Sequence, residues 1–175
     1  EALIAFDDYT TNWKIMWQTK GKARRSHAGV VLADLDADGT VEVIDSDRVY
    51  DGATGDLECV GKGANVSHQK LDRASTADLN GDGRLEVLVG DGVFEYKPDG
   101  NGGVTCPNYL RFKADQESKM IAADFGTVTD KVEKIGLLDG EPEIIRVSKR
   151  DDSSDIRMLD GQSGKEIWRA KMSEN

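Results

Sequence analysis

The chain has 175 residues, 38% of them apolar and 32% charged, with a formal net charge of −10. That length suits one domain with a substantial core, while the charge argues against a nucleic-acid partner, whose binders need a basic face. No apolar run approaches the roughly 20 residues of a spanning helix, so no membrane insertion is expected.

In chain order, the opening "EALIAFDD" has neither a basic n-region nor a long apolar h-region, so any targeting signal has been removed or belongs elsewhere. Residues 1–19 contain "AFDDYTTNWKIMW", two strand-length segments and a turn. The basic cluster of Lys20, Lys22, Arg24 and Arg25 follows and reads as a solvated loop. Then comes "ADLDADGTVEVI" (Ala33 to Ile44), which lines up with "ADLNGDGRLEVL" (Ala77 to Leu88) 44 residues later. Ten of the twelve positions are identical or differ only by Asp/Asn or an aliphatic swap.

A second signature follows each of these stretches, as "VYDGATGDLECV" and "EYKPDGNGGVTC", and returns as "MLDGQSGKEIWR" (Met158 to Arg169). A third acidic stretch is interrupted: "AADF" (Ala122 to Phe125) matches its opening and "DGEPEII" (Asp139 to Ile145) its close, with about eleven extra residues between. The apolar segments within a repeat are short, rich in Val, Ile, Leu and Tyr, and closed by Gly or Asp. No helical period is sustained. Four short strands per repeat of about 44 residues predict an all-β fold, a partial β-propeller of about three and a half four-stranded blades. Its parts are a half blade at 1–19, blades at 27–60 and 71–113, and a blade with an insertion at 119–169. Three and a half blades do not close a ring, which predicts a piece of a larger propeller or a member of an assembly.

The acidic stretches have the spacing of a cation loop. Asp34, Asp36, Asp38 and Glu42 occupy positions 1, 3, 5 and 9, with Gly39 at position 6. Asp78, Asn80, Asp82 and Glu86 repeat the pattern around Gly83. Alternate positions turn side chains toward one centre, and the Gly permits the sharp turn. Hard oxygen donors in this number suit Ca²⁺, with about two ions expected and the backbone carbonyls of Thr40 and Arg84 adding a ligand each. Position 12, where an EF-hand carries its bidentate Glu, holds Asp45 and Val89, and strand rather than helix follows. Such carboxylates also form simple Asx-turns; the recurrence of the whole spacing favours the metal.

These repeats resemble the FG-GAP/VCBS repeats of integrin-α-like propellers, whose blades carry a DxDxDGxxD/E calcium loop between their first two strands. The resemblance covers nearly the whole chain and implies one ion in each complete loop. The Phe-Gly and Gly-Ala-Pro motifs of that family are largely missing, apart from Phe125-Gly126, and the interrupted loop leaves open a site at Asp124 and Asp139.

In the second signature, Gly55 and Gly164 supply the positive φ of a tight hairpin, and Asp51 and Asp160 cap its amides. Trp17 and Trp168 are expected on outer strands, covering seams between blades. Cys59 and Cys106 stand at nearly equivalent outer places of adjacent blades. A disulfide between them is therefore disfavoured by distance, unless the Gly-rich stretch Asp99 to Gly103 shifts the register. "LDGQSGKEIW" is also similar to the tryptophan-docking turn of quinoprotein dehydrogenase propellers and outer-membrane assembly lipoproteins, which is the rival reading.

Little speaks for catalysis. His27 and His68 precede first strands in loops, and no nucleophile elbow, HExxH or phosphate-binding loop occurs. The expectation is an extracellular, cell-surface or periplasmic calcium-binding module for adhesion or assembly, not an enzyme. Its partners would be a protein or glycan ligand, or neighbouring subunits. Inter-strand loops, above all Phe125 to Leu138 and Gly61 to Lys70, would carry the contact. The alternatives are a propeller segment of a polysaccharide-active or quinoprotein-like enzyme, or an outer-membrane assembly scaffold. The sequon Asn65-Val66-Ser67 adds slightly to the extracellular expectation.

Overall fold

A computed structural model describes residues 3–7, 14–19, 29–62, 73–112, 117–126, 138–150 and 153–172. The basic cluster at 20–25, both histidines, the sequon at Asn65 and most of the two partner-loop candidates lie outside them. The described residues are all-β, with antiparallel pairing throughout. A first pair joins β1 (Ile4–Asp7) to β2 (Lys14–Gln18). The first four-stranded sheet takes β3 (Val31–Ala33), β4 (Glu42–Asp45), β5 (Arg48–Asp51) and β6 (Leu57–Val60) in chain order. In the second, β7 (Ser75–Ala77), β8 (Glu86–Val89) and β9 (Gly92–Phe94) are followed by β12 (Asn108–Arg111). Between β9 and β12 stands a small hairpin of β10 (Lys97–Pro98) and β11 (Val104–Thr105). The third sheet contains β13 (Glu117–Ala123), β14 (Glu143–Arg150), β15 (Ser153–Asp160) and β16 (Glu166–Met172).

Why the second strands read "EVID" and "EVLV" rather than alternating apolar and polar follows from what lies on each side. Both strands are buried at every residue. Successive side chains of a strand leave by opposite faces, and here each face meets a different neighbour. Val43 joins Trp17 and Tyr50 against the first pair. Ile44 joins Leu35 and Val49 in a cluster with Val87, Val89 and Phe94 of the second sheet. From that sheet Leu88 and Val93 turn the other way, to Met120, Ile144 and Leu159 of the third. Each sheet thus packs on the next in chain order, and a middle strand has two apolar faces because it has two apolar neighbours.

The seams carry a second layer of contacts. Trp17 of β2 donates its indole N–H to the carbonyl of Gly52, 2.8 Å away. Its ring lies where a side chain on Gly55 would stand, and Gly55 also needs its positive φ of 72°. In the third sheet the matching glycine, Gly164, faces Phe112 and Leu110. Between the second and third sheets, Arg146 is buried with its guanidinium 3.0 Å from Asp91, 2.8 Å from the Ser118 hydroxyl and over the Phe112 ring. Removing either member of such a buried pair strands a charge in the interior.

The disulfide expectation is overturned: Cys59 and Cys106 are bonded, with Cα atoms 5.7 Å apart. The register explains why. Cys59 pairs with Val49 as Trp168 pairs with Met158. The residue at that place in the second sheet is Leu110, opposite Val93, not Cys106. The Asp99–Gly103 turn closes the extra β10–β11 hairpin instead of joining the last two strands of the sheet. This displaces Cys106 from the outer strand toward β6, where its carbonyl accepts the Lys62 amide at 2.9 Å.

The bridge closes a separation of 47 residues, for which chain entropy alone gives about 4 kcal/mol of stabilisation. The Cys59→Ser/Cys106→Ser variant should lose about 2–4 kcal/mol in urea unfolding. A loss below about 1 kcal/mol would show that packing between the first two sheets holds them without the bridge.

Candidate metal centre

Each acidic stretch connects the first and second strands of a four-stranded sheet. In the first, both oxygens of Asp34 accept backbone amides across the loop, from Asp38 at 3.1 Å and Gly39 at 3.0 Å. Asp38 accepts the Thr40 amide and hydroxyl at 2.7 and 2.6 Å. Glu42, the first residue of β4, is buried and takes the Leu35 amide on Oε2 at 2.7 Å. Leu35 is itself fully buried, so the loop is pinned to the core at its second residue and to the strand at its ninth.

The second loop repeats this skeleton. Asp78 accepts from Gly81 at 2.7 Å, Asp82 at 3.2 Å and Gly83 at 2.9 Å; Asp82 accepts from Arg84 at 2.9 Å. Glu86 accepts the amide of the buried Leu79 at 2.7 Å. The loops also touch each other, the Leu85 amide donating to the Leu35 carbonyl at 2.8 Å. Thr40 and Arg84, expected as carbonyl donors, use their amides to fix Asp38 and Asp82.

The interrupted third stretch keeps the same frame. Asp124 accepts from Gly126 and Gly140, both at 2.9 Å, and Asp139 from Glu141 at 3.1 Å. Glu143 takes the Phe125 amide at 2.9 Å, as Glu42 and Glu86 take those of the leucines. Gly126 stands at the third position, so this loop lacks a side-chain donor there. Glu143 was legible only as the last letter of the "DGEPE" spacing.

Asp34, Asp36 and Glu42 bring carboxylate oxygens within 4.8 Å of one another. Asp36 Oδ1 is buried and has no hydrogen-bond partner. A buried carboxylate oxygen left this way is costly, and a cation is the natural counterpart. The donor set of these three residues, with hard oxygens only, fits a hard metal cation. Glu58 of β6, which sequence reading passed over, adds its charge beside them and accepts the Tyr96 hydroxyl at 2.9 Å.

The electrostatics agree with that fit. Burial raises the carboxyl of Glu42, and Asp36, Glu58 and Asp38 push it further up. Burial likewise raises Glu143, with Asp139 and Asp124 adding to it. Glu86 is pushed up to about 7, by burial first and then by Asp82, Asp78 and Glu95. Asp155, in the third sheet, behaves oppositely: burial disfavours its charge, but Arg157, Ser148 and Arg169 outweigh burial and hold it well below the usual carboxylate range.

No protein-family model and no curated protein matches the chain. The crystal structure of the V. cholerae biofilm matrix protein Bap1 is similar to it with a TM-score of 0.39 and 18% identity. The match covers 91% of this chain and 31% of that one, so the chain spans under a third of that protein's structure.

A carboxyl raised from 4.5 to about 7 contributes stability that is fully present below about pH 4.5 and lost as pH climbs through about 7. In excess chelator, Glu86→Gln should therefore gain on the unmodified protein as pH rises from 5 to 7.5. Urea melts across that range check this; parallel curves would show that Glu86 carries no such penalty.

Proposed function

We propose that the chain is a segment of an extracellular, calcium-stabilised β-propeller of the FG-GAP/VCBS kind, serving binding or structural assembly rather than catalysis. The blades would be residues 1–19 in part, 27–60, 71–113 and 119–169. The observation that carries the reading is the acidic loop between first and second strands, built alike in successive sheets, with the orphaned Asp36 oxygen among the carboxylates of the first. Asp34, Asp36, Asp38 and Glu42, with the carbonyl of Thr40, would hold one ion. Asp78, Asn80, Asp82 and Glu86, with the carbonyl of Arg84, would hold the other. Two ions would bring the formal charge from −10 to about −6, easing self-repulsion. The Cys59–Cys106 bridge supports an oxidising compartment: outside the cell, at its surface or in the periplasm. Partners of protein or glycan nature, or neighbouring subunits, would meet inter-strand loops.

One observation favours the rival docking-turn reading. Trp17, hydrogen-bonded to Gly52 and lying on Gly55, is a tryptophan docked on an Asp-Gly-x-x-Gly turn. That arrangement also suits a scaffold of the outer-membrane assembly type, and calcium separates the two.

Calcium at about ten times Kd should add about 1.4 kcal/mol per site. Two sites should then raise Tm by roughly 5–10 °C over the chelated protein. Metal analysis should find about two calcium ions per chain. Identical melts and no bound calcium would remove the metal reading and leave the docking-turn scaffold.

A further inference from the structure

The two complete loops share a backbone frame but differ at their third residue, and the structure shows what that difference does. In the second loop, Asn80 Oδ1 accepts the Asp82 amide at 2.9 Å, and its Nδ2 donates to Glu86 Oε1 at 3.1 Å. Its neighbours fix the orientation of the amide. Turning it over would set oxygen against the Glu86 carboxylate and N–H against the Asp82 N–H. Asn80 thus supplies Glu86 with the donor that a cation would otherwise replace.

Asp36 has no N–H to offer. It makes no such bond to Glu42, and its Oδ1 stays buried without a partner beside Asp34 and Glu42. An ion entering the first loop satisfies an orphaned oxygen. An ion entering the second must first break the Asn80–Glu86 bond and turn the amide, and it then meets three carboxylates instead of four. Ligand charge count and the bonds already made both weaken the second site.

We infer that the loops fill unequally, the Asp34–Glu42 loop first, and that Asn80 is the residue that sets the second loop's weaker affinity. The inference rests on the calcium reading above. Asn80 delays the second loop by acting as an internal stand-in for the ion. Over a span of calcium concentrations the protein holds one ion, with the first loop rigid and the second still closed on its own amide.

Calorimetric titration of the full chain with calcium alone tests this. The unmodified protein should show two steps with Kd values at least about tenfold apart. Asp34→Ala should remove the tighter step and Asp78→Ala the weaker one. Asn80→Asp, which deletes the donor and restores the fourth carboxylate, should tighten the weaker step about tenfold and leave the other in place. Asp36→Asn, a near-isosteric change that keeps the loop frame, should weaken the tighter step. Two steps of equal affinity would overturn the inference, as would a tighter step lost in Asp78→Ala or a weaker step unmoved in Asn80→Asp. Each of those results leaves the calcium reading intact. Absence of calcium binding in every variant would overturn that reading as well.

Discussion

A buried glutamate opens the second strand of each four-stranded sheet and holds the amide of the residue after the loop's first aspartate. Glu42 takes the Leu35 amide, Glu86 that of Leu79 and Glu143 that of Phe125, at 2.7 to 2.9 Å. This single carboxylate–amide bond fixes where the loop leaves the sheet, and it places a negative charge in a site that burial makes hostile to charge. The rest of the loop answers that placement. The first aspartate gathers the amides of the turn, the fifth caps the seventh, and the glycine at the sixth position lets the chain fold back. In the first loop the local result is a carboxylate cluster with one oxygen of Asp36 unsatisfied, and a hard cation is the species that relieves it.

The stacking of the sheets depends on the same strands. Because Glu42, Val43, Ile44 and Asp45 are all buried, the second strand cannot be a surface element; it needs a neighbour on each face. Val43 and Ile44 meet different sheets, and so do Leu88 and Val89. Between the sheets, polar contacts set the alignment that apolar packing leaves free. The Arg146–Asp91 pair, the Tyr96–Glu58 bond and the Leu85–Leu35 backbone bond each join one sheet to the next. The Cys59–Cys106 bridge adds a covalent link at the seam between the first and second sheets.

The strands, their order within a sheet and the residues of the acidic loops were legible in the sequence. Each depends on spacing over a dozen residues: apolar runs bounded by Gly and Asp, or carboxylates at alternate positions around a glycine. The mispaired comparison of Cys106 with Cys59 shows the limit. Counting residues from one repeat to the next assigns equivalence only while no insertion intervenes. The β10–β11 hairpin moved the true counterpart to Leu110. Glu143 was legible only in the closing half of its loop, because an insertion of about eleven residues parts that half from Asp124 and Phe125.

By itself, then, the sequence determined an all-β chain of repeated four-stranded units and the residue types gathered in each acidic loop, since both are set by local periodicity. Only the tertiary structure decided which groups meet across a seam: Cys59 with Cys106, Arg146 with Asp91, Trp17 with Gly52 and Gly55. It also decided which loop carboxylate oxygen is left without a partner and that Asn80 turns its amide to Glu86. These outcomes depend on distances between segments tens of residues apart and on competition for a few hydrogen-bond donors, and neither quantity leaves a period in the chain.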